Sequence, residues 1–503
     1  METLEPLRVS SKWICLSIVL VLLYAIPSSS TDASLDVPRN VSVDGIMFEG
    51  EILGKPPKCR HRKYCKLKSC RNAPICKDKK KPKEEKERVE YCETDRCLKT
   101  ARVIKANMDE RIDPCDDFYS FACNGFSKQN PQPEGSNYRD VDFQIKYDVI
   151  DKLIKILLRI YSKTSQSKAL AEARTNFQIC HKRTKSSYGC AKRAMKSKDI
   201  WPLARGYVIN FGMKNRERKD LERMMSNIRE SFMDDLSAIP WLDDSTEKRA
   251  RKKAKAVKFV LSHNDELFKH DEIPPKMLNA DGRLKEDVTF DLPTSVNAIY
   301  IVESNTIFLP RAMMSYPFFN TGLPVLDYAA MGSVLAHEFT HSFDSCGRNY
   351  DENGYKKDWW SAEAAEQFKR RERWFKEQYG QFFITTKKGE KLYLNSNFTI
   401  NEDISDNGGV SLAYRAFKKL HPKKEKLYRL DEYTDEQLFF IGYANSFCRS
   451  ETVEFTEETI ENDEHSPSKY RVNVPLSNMK AFARAFKCRE GSNMNPRKKI
   501  EIW

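Results

Sequence analysis

The sequence predicts a mainly α, α+β chain with a small sheet, and three observations carry that expectation. Past Cys97 apolar residues recur at helical spacing, as in the stripe Ile145, Val149, Leu153, Ile156, Leu157 and Ile160. Residues 296–309, VNAIYIVESNTIFL, instead mix β-branched and aromatic residues around Glu303, Ser304 and Asn305, the pattern of two short strands and a turn. Two polar pairs, His337 with His341 and Glu402 with Asp406, stand at i, i+4, which places both members on one face of a helix.

Taken in chain order, Trp13 to Ile26 are almost wholly apolar, follow Arg8 and Lys12, and run into Pro27, Ser28, Ser29 and Ser30. This reads as a signal peptide over 1–30, since a membrane span needs about 20 apolar residues. The expectation is a secreted, extracellular protein; the alternative is a retained anchor, making a single-pass type II membrane protein. Of 14 cysteines, Cys15 falls in the signal, and the remaining 13 suit disulfides made in an oxidising compartment. The odd number leaves one thiol free or paired between chains, expected to be Cys346. Asn40-Val-Ser and Asn397-Phe-Thr are candidate glycosylation acceptors.

The net charge of +14 is local. Residues 55–88 hold 15 Lys or Arg against 4 acids, a balance of +11. No nucleic-acid-binding face is therefore expected on the main body. The segment 31–91, which carries Cys59, Cys65, Cys70 and Cys76, reads as a disulfide knot, a basic tether for acidic polysaccharide or an anionic surface, or a solvated linker. Beyond it, Leu221, Met225, Ile228, Phe232 and Leu236 form a second helical stripe. Asp244 with Glu247 predicts a capping box opening a basic helix over 245–258. A later helix is expected from near Trp359 to Gly380.

HEFTH, residues 337–341, is either a zinc site or a polar patch on a helix. On a helix, i and i+4 lie about 40° apart around the axis, one turn up, so His337 and His341 can offer two imidazoles to one ion while Glu338 stays beside it. A catalytic zinc wants a third protein ligand and leaves its fourth place open. NEDISDNGG supplies a candidate: Glu402 reaches the ion while Asp406, one turn on, accepts a proton from a histidine ring. Asp344, three residues after His341, can orient that imidazole in the same way. The competing reading of this stretch is a solvated acidic turn ending in Gly408 and Gly409.

HEFTHSFD, then GRNYDENGYKKDWW, EDISDNGG and CREGSNMNPRKKIEIW, in that order and spacing, resemble the neprilysin and endothelin-converting-enzyme family of zinc endopeptidases. The likeness runs over 297–503, with a weaker one from Cys92 through CDDFYSFACNGF. It implies a thermolysin-like gluzincin catalytic domain over 291–503, one zinc ion, and an amino-terminal helical domain of neprilysin type over 92–290. By the same resemblance His337, His341 and Glu402 bind the metal, Glu338 is the base, and Asp344 and Asp406 support the histidines. VNAIY resembles the family strand that holds the substrate backbone, which carries over to Asn297 and Ala298, with Asn297 expected on an edge strand. HSPSKYR resembles the segment in which His465 stabilises the oxyanion and Arg471 grips a substrate carbonyl. Met313, Phe318, Val334 and Phe447 fall where the family builds an apolar pocket for the residue after the cut.

The chain also departs from the family. FQICHKR and YGCAKRAMKSKDIWPLARGYV resemble the surroundings of two disulfide partners that lie far apart in relatives, yet nine residues separate Cys180 from Cys190 here. This implies that most of the capping domain is missing, with a Cys180–Cys190 bridge across the scar. The resemblance further implies pairs Cys92–Cys97, Cys115–Cys488 and Cys123–Cys448. Another family pair is replaced at both ends, by Trp374 and Ile500. Near Ser136 the arginine that binds a substrate's terminal carboxylate is replaced by Asn137, so internal cleavage is expected. Two functions compete: an active endopeptidase on extracellular peptides or proteins, cutting before apolar residues, and a catalytically weak or silent peptide-binding decoy.

Overall fold

A computed structural model describes residues 90–159, 167–270, 272–278, 292–420 and 425–503. The expected signal peptide, the Asn40 sequon, Cys59, Cys65, Cys70 and Cys76 lie outside the described residues. Helices of nine or more residues are α1 (Asp95–Asn107), α2 (Asp142–Leu157), α3 (Lys168–Thr184), α4 (Ser187–Met195), α5 (Ile200–Phe211), α6 (Asn215–Leu236), α7 (Asp244–Ala256), α8 (Ser333–His341), α9 (Ala362–Tyr379), α10 (Ile400–Lys419), α11 (Asp435–Asn445), α12 (Val453–Asn462) and α13 (Ser468–Asn478). The expected mainly α, α+β architecture is thus observed.

Local chemistry sets many of the boundaries. Ser167, Ser361, Thr434 and Thr452 each accept a bond from a backbone N–H of the first turn they cap, satisfying donors that a helix start leaves unpaired. Because Ser361 is the cap, α9 begins two residues after Trp360. The expected capping box at Asp244 does not form. Asp243 is the cap, accepting from Ser245 N and Thr246 N, and this moves Glu247 one position too far to reach back; it pairs with Arg251 instead. That helix also ends at Ala256, because Lys258–Ser262 is drawn into the sheet.

Thr306–Pro310 runs through the centre of a three-stranded sheet, parallel to Lys258–Ser262 and antiparallel to Ile299–Ile301. The turn between the last two strands closes on Asn305 in the left-handed region, at φ 49°. Ile299–Ile301 is therefore an edge strand, but Asn297 and Ala298 stand just before it and not on it. The cause is local: the ladder begins at the Ile299–Phe308 pair.

Both stripes read from the sequence face the core: Ile145, Val149, Leu153, Ile156 and Leu157 on α2, with Ile160 outside the described residues, and Leu221, Met225, Ile228, Phe232 and Leu236 on α6. α8 and α10 are buried over most of their surface, lie against each other, and both pack on α6. Phe232, Phe339, Phe343, Trp360, Phe368 and Trp503 form a continuous aromatic cluster beside them. Among the described residues, no helix is long and apolar enough to cross a membrane.

Between described residues the disulfides are Cys92–Cys97, Cys115–Cys488, Cys123–Cys448 and Cys180–Cys190, the four pairs the resemblance implies. Cys346 is not the free thiol expected of it. It is disulfide-bonded, and the other described cysteines are taken by these four pairs. At the replaced family pair, Ile500 is buried with its N–H donated to Asn478 Oδ1, and Lys498 Nζ lies 5.4 Å from the ring centre of Trp374.

Candidate metal centre

α8 is entered through a π-helical turn, Tyr328–Gly332, and presents His337, Glu338 and His341 from one end. α10 crosses it closely because Gly408 and Gly409 have no side chains: a Cβ on Gly408 would meet Thr340 Cγ2 at 2.7 Å. The glycines are thus not the end of an acidic turn. They lie mid-helix, at the crossing point.

This approach brings Glu402 between the two imidazoles. His337 Nε2 lies 3.0 Å from His341 Nε2 and 3.1 Å from Glu402 Oε2, and His341 Nε2 lies 3.4 Å from Glu402 Oε1. The outer nitrogens are held from behind. Asp406 Oδ1 is 2.9 Å from His337 Nδ1, and Asp344 Oδ2 is 2.7 Å from His341 Nδ1, with Ser405 Oγ at 3.0 Å. With the proton of each ring on this outer nitrogen, both Nε2 lone pairs face a carboxylate. Three electron-rich atoms so close repel one another unless positive charge sits among them.

The titration behaviour of the cluster agrees. Burial alone would lower the histidines, but Asp406 and Glu402 hold His337 above its ordinary value, and Glu402 with Asp344 hold His341 well above it. Burial would raise Glu402, yet His465 and the two ligand histidines keep it well below the carboxylate range. Two nitrogens, one carboxylate and the carboxylates behind the rings are the donor set of a zinc site, and the residues fit that ion.

Asp406 is itself anchored. Arg471 donates to it through Nε at 2.7 Å and Nη2 at 2.8 Å, so two of the donors expected to grip a substrate are committed to a carboxylate inside the protein. His465 Nδ1 is 2.8 Å from Asp463 Oδ1, which turns its Nε2 towards Glu402 Oε2 at 3.0 Å. Burial lowers His465, but Glu402 and then Asp463 outweigh it and bring the ring up to about 10.

A cavity of about 200 Å³ opens over this cluster. Its walls include Glu338, Asn297, Ala298, Met313, Phe318, Val334, Phe447, His465 and Arg471, so the residues expected to act in the site line it except Asn137 and Asp344, the latter standing behind His341. Asn297 Nδ2 is buried without a partner, a donor free to serve a ligand. Burial holds Glu338 above the usual carboxylate range, with His337 and His341 opposing.

Sequence reasoning did not find Asp463, Ser405, Asp403 or the wall formed by Tyr138, Asp140 and Asp142. Asp463 was within reach, two residues before His465. Asp403, whose Oδ1 accepts from Ser466 Oγ at 2.7 Å, pairs across 63 residues and leaves no local signal.

An HExxH helix facing a glutamate on a second helix, with carboxylates behind the imidazoles, defines a gluzincin-type metallopeptidase fold. Residues 297–502 and 114–200 match two profiles described as peptidase family M13. Neprilysin-21 of Caenorhabditis elegans is 32% identical over 334 residues, 60% of this chain and 43% of that protein. Human neprilysin is 33% identical over 313 residues, 56% and 42% of the two chains. A crystal structure of a zinc metalloprotease from Mycobacterium tuberculosis shares the fold with a TM-score of 0.54 at 24% identity, over 64% of this chain and 51% of its own. A Haemonchus galactose-containing glycoprotein complex matches with a TM-score of 0.65 at 16% identity, over 82% of this chain and 99% of that one. The chain belongs to peptidase family M13. It spans about two fifths of the length of those curated relatives.

Proposed function

We propose that the chain is a zinc-dependent endopeptidase that hydrolyses extracellular peptides, cutting before apolar residues, with one ion held by His337, His341 and Glu402. The observation that carries this reading is Glu338, buried in the cavity wall beside the metal-binding set. A protein that only bound peptides would have no use for a base there.

A zinc ion in that position supplies Lewis acidity and an acidified water. Glu338 takes the proton of the attacking water and returns it to the leaving amine. His465, with Nδ1 tied to Asp463, offers its Nε2–H to the developing oxyanion. Asn297 binds the peptide backbone through its free amide donor, and Ala298 keeps the wall beside it close. Arg471 aligns a carbonyl while its bond to Asp406 keeps His337 turned to the metal. Met313, Phe318, Val334 and Phe447 receive the apolar side chain after the cut. Asn137, in place of a cation for a terminal carboxylate, favours internal bonds. Residues 92–290 act as the reduced helical domain and 291–503 as the catalytic one, while residues 55–88 tether the enzyme to acidic polysaccharide or anionic surfaces.

Turnover of a quenched peptide, lost on chelation, restored by zinc and lowered at least about a thousandfold in Glu338→Gln, is the expected result. Bound zinc without metal-dependent turnover would instead identify a peptide-binding decoy.

A further inference from the structure

The loop that follows the metal-binding helix carries a bond whose second sulfur lies outside the described residues. Cys346 is disulfide-bonded, and the other described cysteines are spent on one another in four bridges. A partner on the same chain is therefore Cys15, Cys59, Cys65, Cys70 or Cys76. Cys15 falls within the apolar run from Trp13 to Ile26, which is either cut away as a signal or held in a membrane as an anchor, and neither fate leaves it for Cys346. Four candidates remain, all in the basic segment.

The surroundings of Cys346 show what such a bond holds. Its N–H donates to Asp344 Oδ1 at 2.9 Å, and Gly347 N donates to the same oxygen at 2.6 Å. Asp344 Oδ2 in turn stands 2.7 Å from His341 Nδ1, so this loop is the mount of a carboxylate behind the metal site. Lys253 Nζ grips the loop from the inner side, at Gly347 O and Tyr350 O. Cys346 itself is 9% exposed and does not line the cavity, which puts the anchor point behind the metal-binding helix and away from the cleft.

We propose that Cys346 is bridged to Cys59, Cys65, Cys70 or Cys76 of its own chain, so that the basic segment is stapled to the loop that carries Asp344. Two thiols give up two protons and two electrons to an oxidising protein disulfide of the compartment in which the other four bridges form; that disulfide becomes a dithiol, and one S–S bond is made. The inference does not depend on the peptidase reading. Cys76 stands 14 residues before Glu90, the first described residue, and Cys59 stands 31 before it. Extended, those stretches span up to about 46 and about 100 Å, against a radius of gyration of about 21 Å for a compact body of this length. A segment so attached meets the loop at an effective concentration of about a millimolar, orders of magnitude above that of a second copy in solution. A largely covered sulfur also suits a short segment better than the surface of another folded chain, because exchange needs an open line of attack. The bridge gives the charge of residues 55–88, +11, a fixed point of attachment.

The connectivity is read on the unaltered full chain. Protein made by secretion and kept from reductant has its thiols blocked with a maleimide, is digested, and its linked peptides are fragmented by mass spectrometry. The expected result is a Cys346 peptide joined to one that holds Cys59, Cys65, Cys70 or Cys76, from material that runs as a covalent monomer on a non-reducing gel. Cys346 found blocked by the maleimide, capped by a small thiol, joined to another described cysteine, or joined to a second chain in a covalent dimer overturns the proposal. A second readout uses the run KDKKKPKEEKER, residues 77–88, where trypsin cuts between the candidate cysteines and the body. After that cut the amino-terminal fragment stays with the body in denaturant until reductant is added, whereas in Cys346→Ser it separates without reductant. Separation of the fragment from the unaltered chain without reductant also overturns the bridge, even if the variant fails to fold. Turnover enters neither readout, so failure of the peptidase reading leaves the bridge standing.

Discussion

Gly409 lies against the backbone of His337: a Cβ placed on it would stand 2.8 Å from His337 N and 2.9 Å from its Cα. The contact is with backbone, which cannot rotate away, so Gly409→Ala must push α10 off α8. Alanine gains about 1 kcal/mol of helix propensity over glycine, but overpacking at a crossing costs about 1–3 kcal/mol. It also separates Glu402 from the two histidines. The expected outcome is a lower thermal midpoint and a zinc affinity down by about tenfold or more. Gly408→Ala should be milder, because its nearest obstacle is the Thr340 side chain. Equal zinc affinity in Gly409→Ala and the parent, by chelator competition, would refute the close crossing as the determinant of the site.

Asp406 joins two functions, since it stands 2.9 Å from His337 Nδ1 on one side and accepts from Arg471 on the other. Asp406→Asn loses the charge that fixes the ring and leaves a buried guanidinium without its partner. Removal of one partner from a buried ion pair costs about 3–5 kcal/mol, and disturbing a carboxylate behind a ligand histidine weakens metal binding about 10–100-fold. Asp344→Asn should weaken zinc comparably while sparing Arg471. The two variants therefore differ in urea midpoint more than in zinc affinity.

How much of this was legible depends on the distance over which each contact acts. HEFTH and Glu402/Asp406 could be read because a helix brings i and i+4 together whatever the rest of the chain does. The competing acidic-turn reading rested on Gly-Gly, which usually marks a turn, and the facing backbone of His337 and side chain of Thr340 explain its presence inside a helix. The one-residue error at Asp244 arose because Asp243 and Asp244 are both good caps; Ser361 Oγ, 118 residues away, donates to Asp243 and helps to hold it in that role. Arg471–Asp406 spans 65 residues, and this intramolecular partner has no local signature, so only the resemblance gave Arg471 a role, towards the substrate. Cys346 was assigned by counting, which cannot see pairing.

Metal removal should act on stability as well as chemistry. The Nε2–Nε2 distance of 3.0 Å between His337 and His341, with Glu402 against both, is stabilised by a cation and strained without one. A ligand present at about a thousand times its Kd stabilises the native state by about 4 kcal/mol. Chelation is thus expected to lower the unfolding midpoint reversibly, with zinc restoring it. Glu402→Gln should show little of this response, and a chelator shift as large in Glu402→Gln as in the parent would place the ion elsewhere.

Lys253 gives the pH dependence its clearest sign. It is 1% exposed, donates from Nζ to Gly347 O at 2.6 Å and Tyr350 O at 2.7 Å, and so ties α7 to the loop that follows the metal-binding helix. Burial lowers it to about 7, against the pull of Asp344, Asp351 and Glu352. An unfolded lysine titrates near about 10.4, so between those limits the unfolded chain holds more protons than the folded one. Stability from this group therefore rises with pH across that window, by at most about 1.4 kcal/mol per unit, and below about pH 7 the fold carries the full cost of a buried ammonium. Lys253→Met removes the proton but leaves both carbonyls without a donor. The unfolding free energy of the parent minus that of the variant should consequently grow from pH 7 to 9.5, and a difference flat over that range would mean that the two carbonyls and three acids keep the ammonium charged throughout.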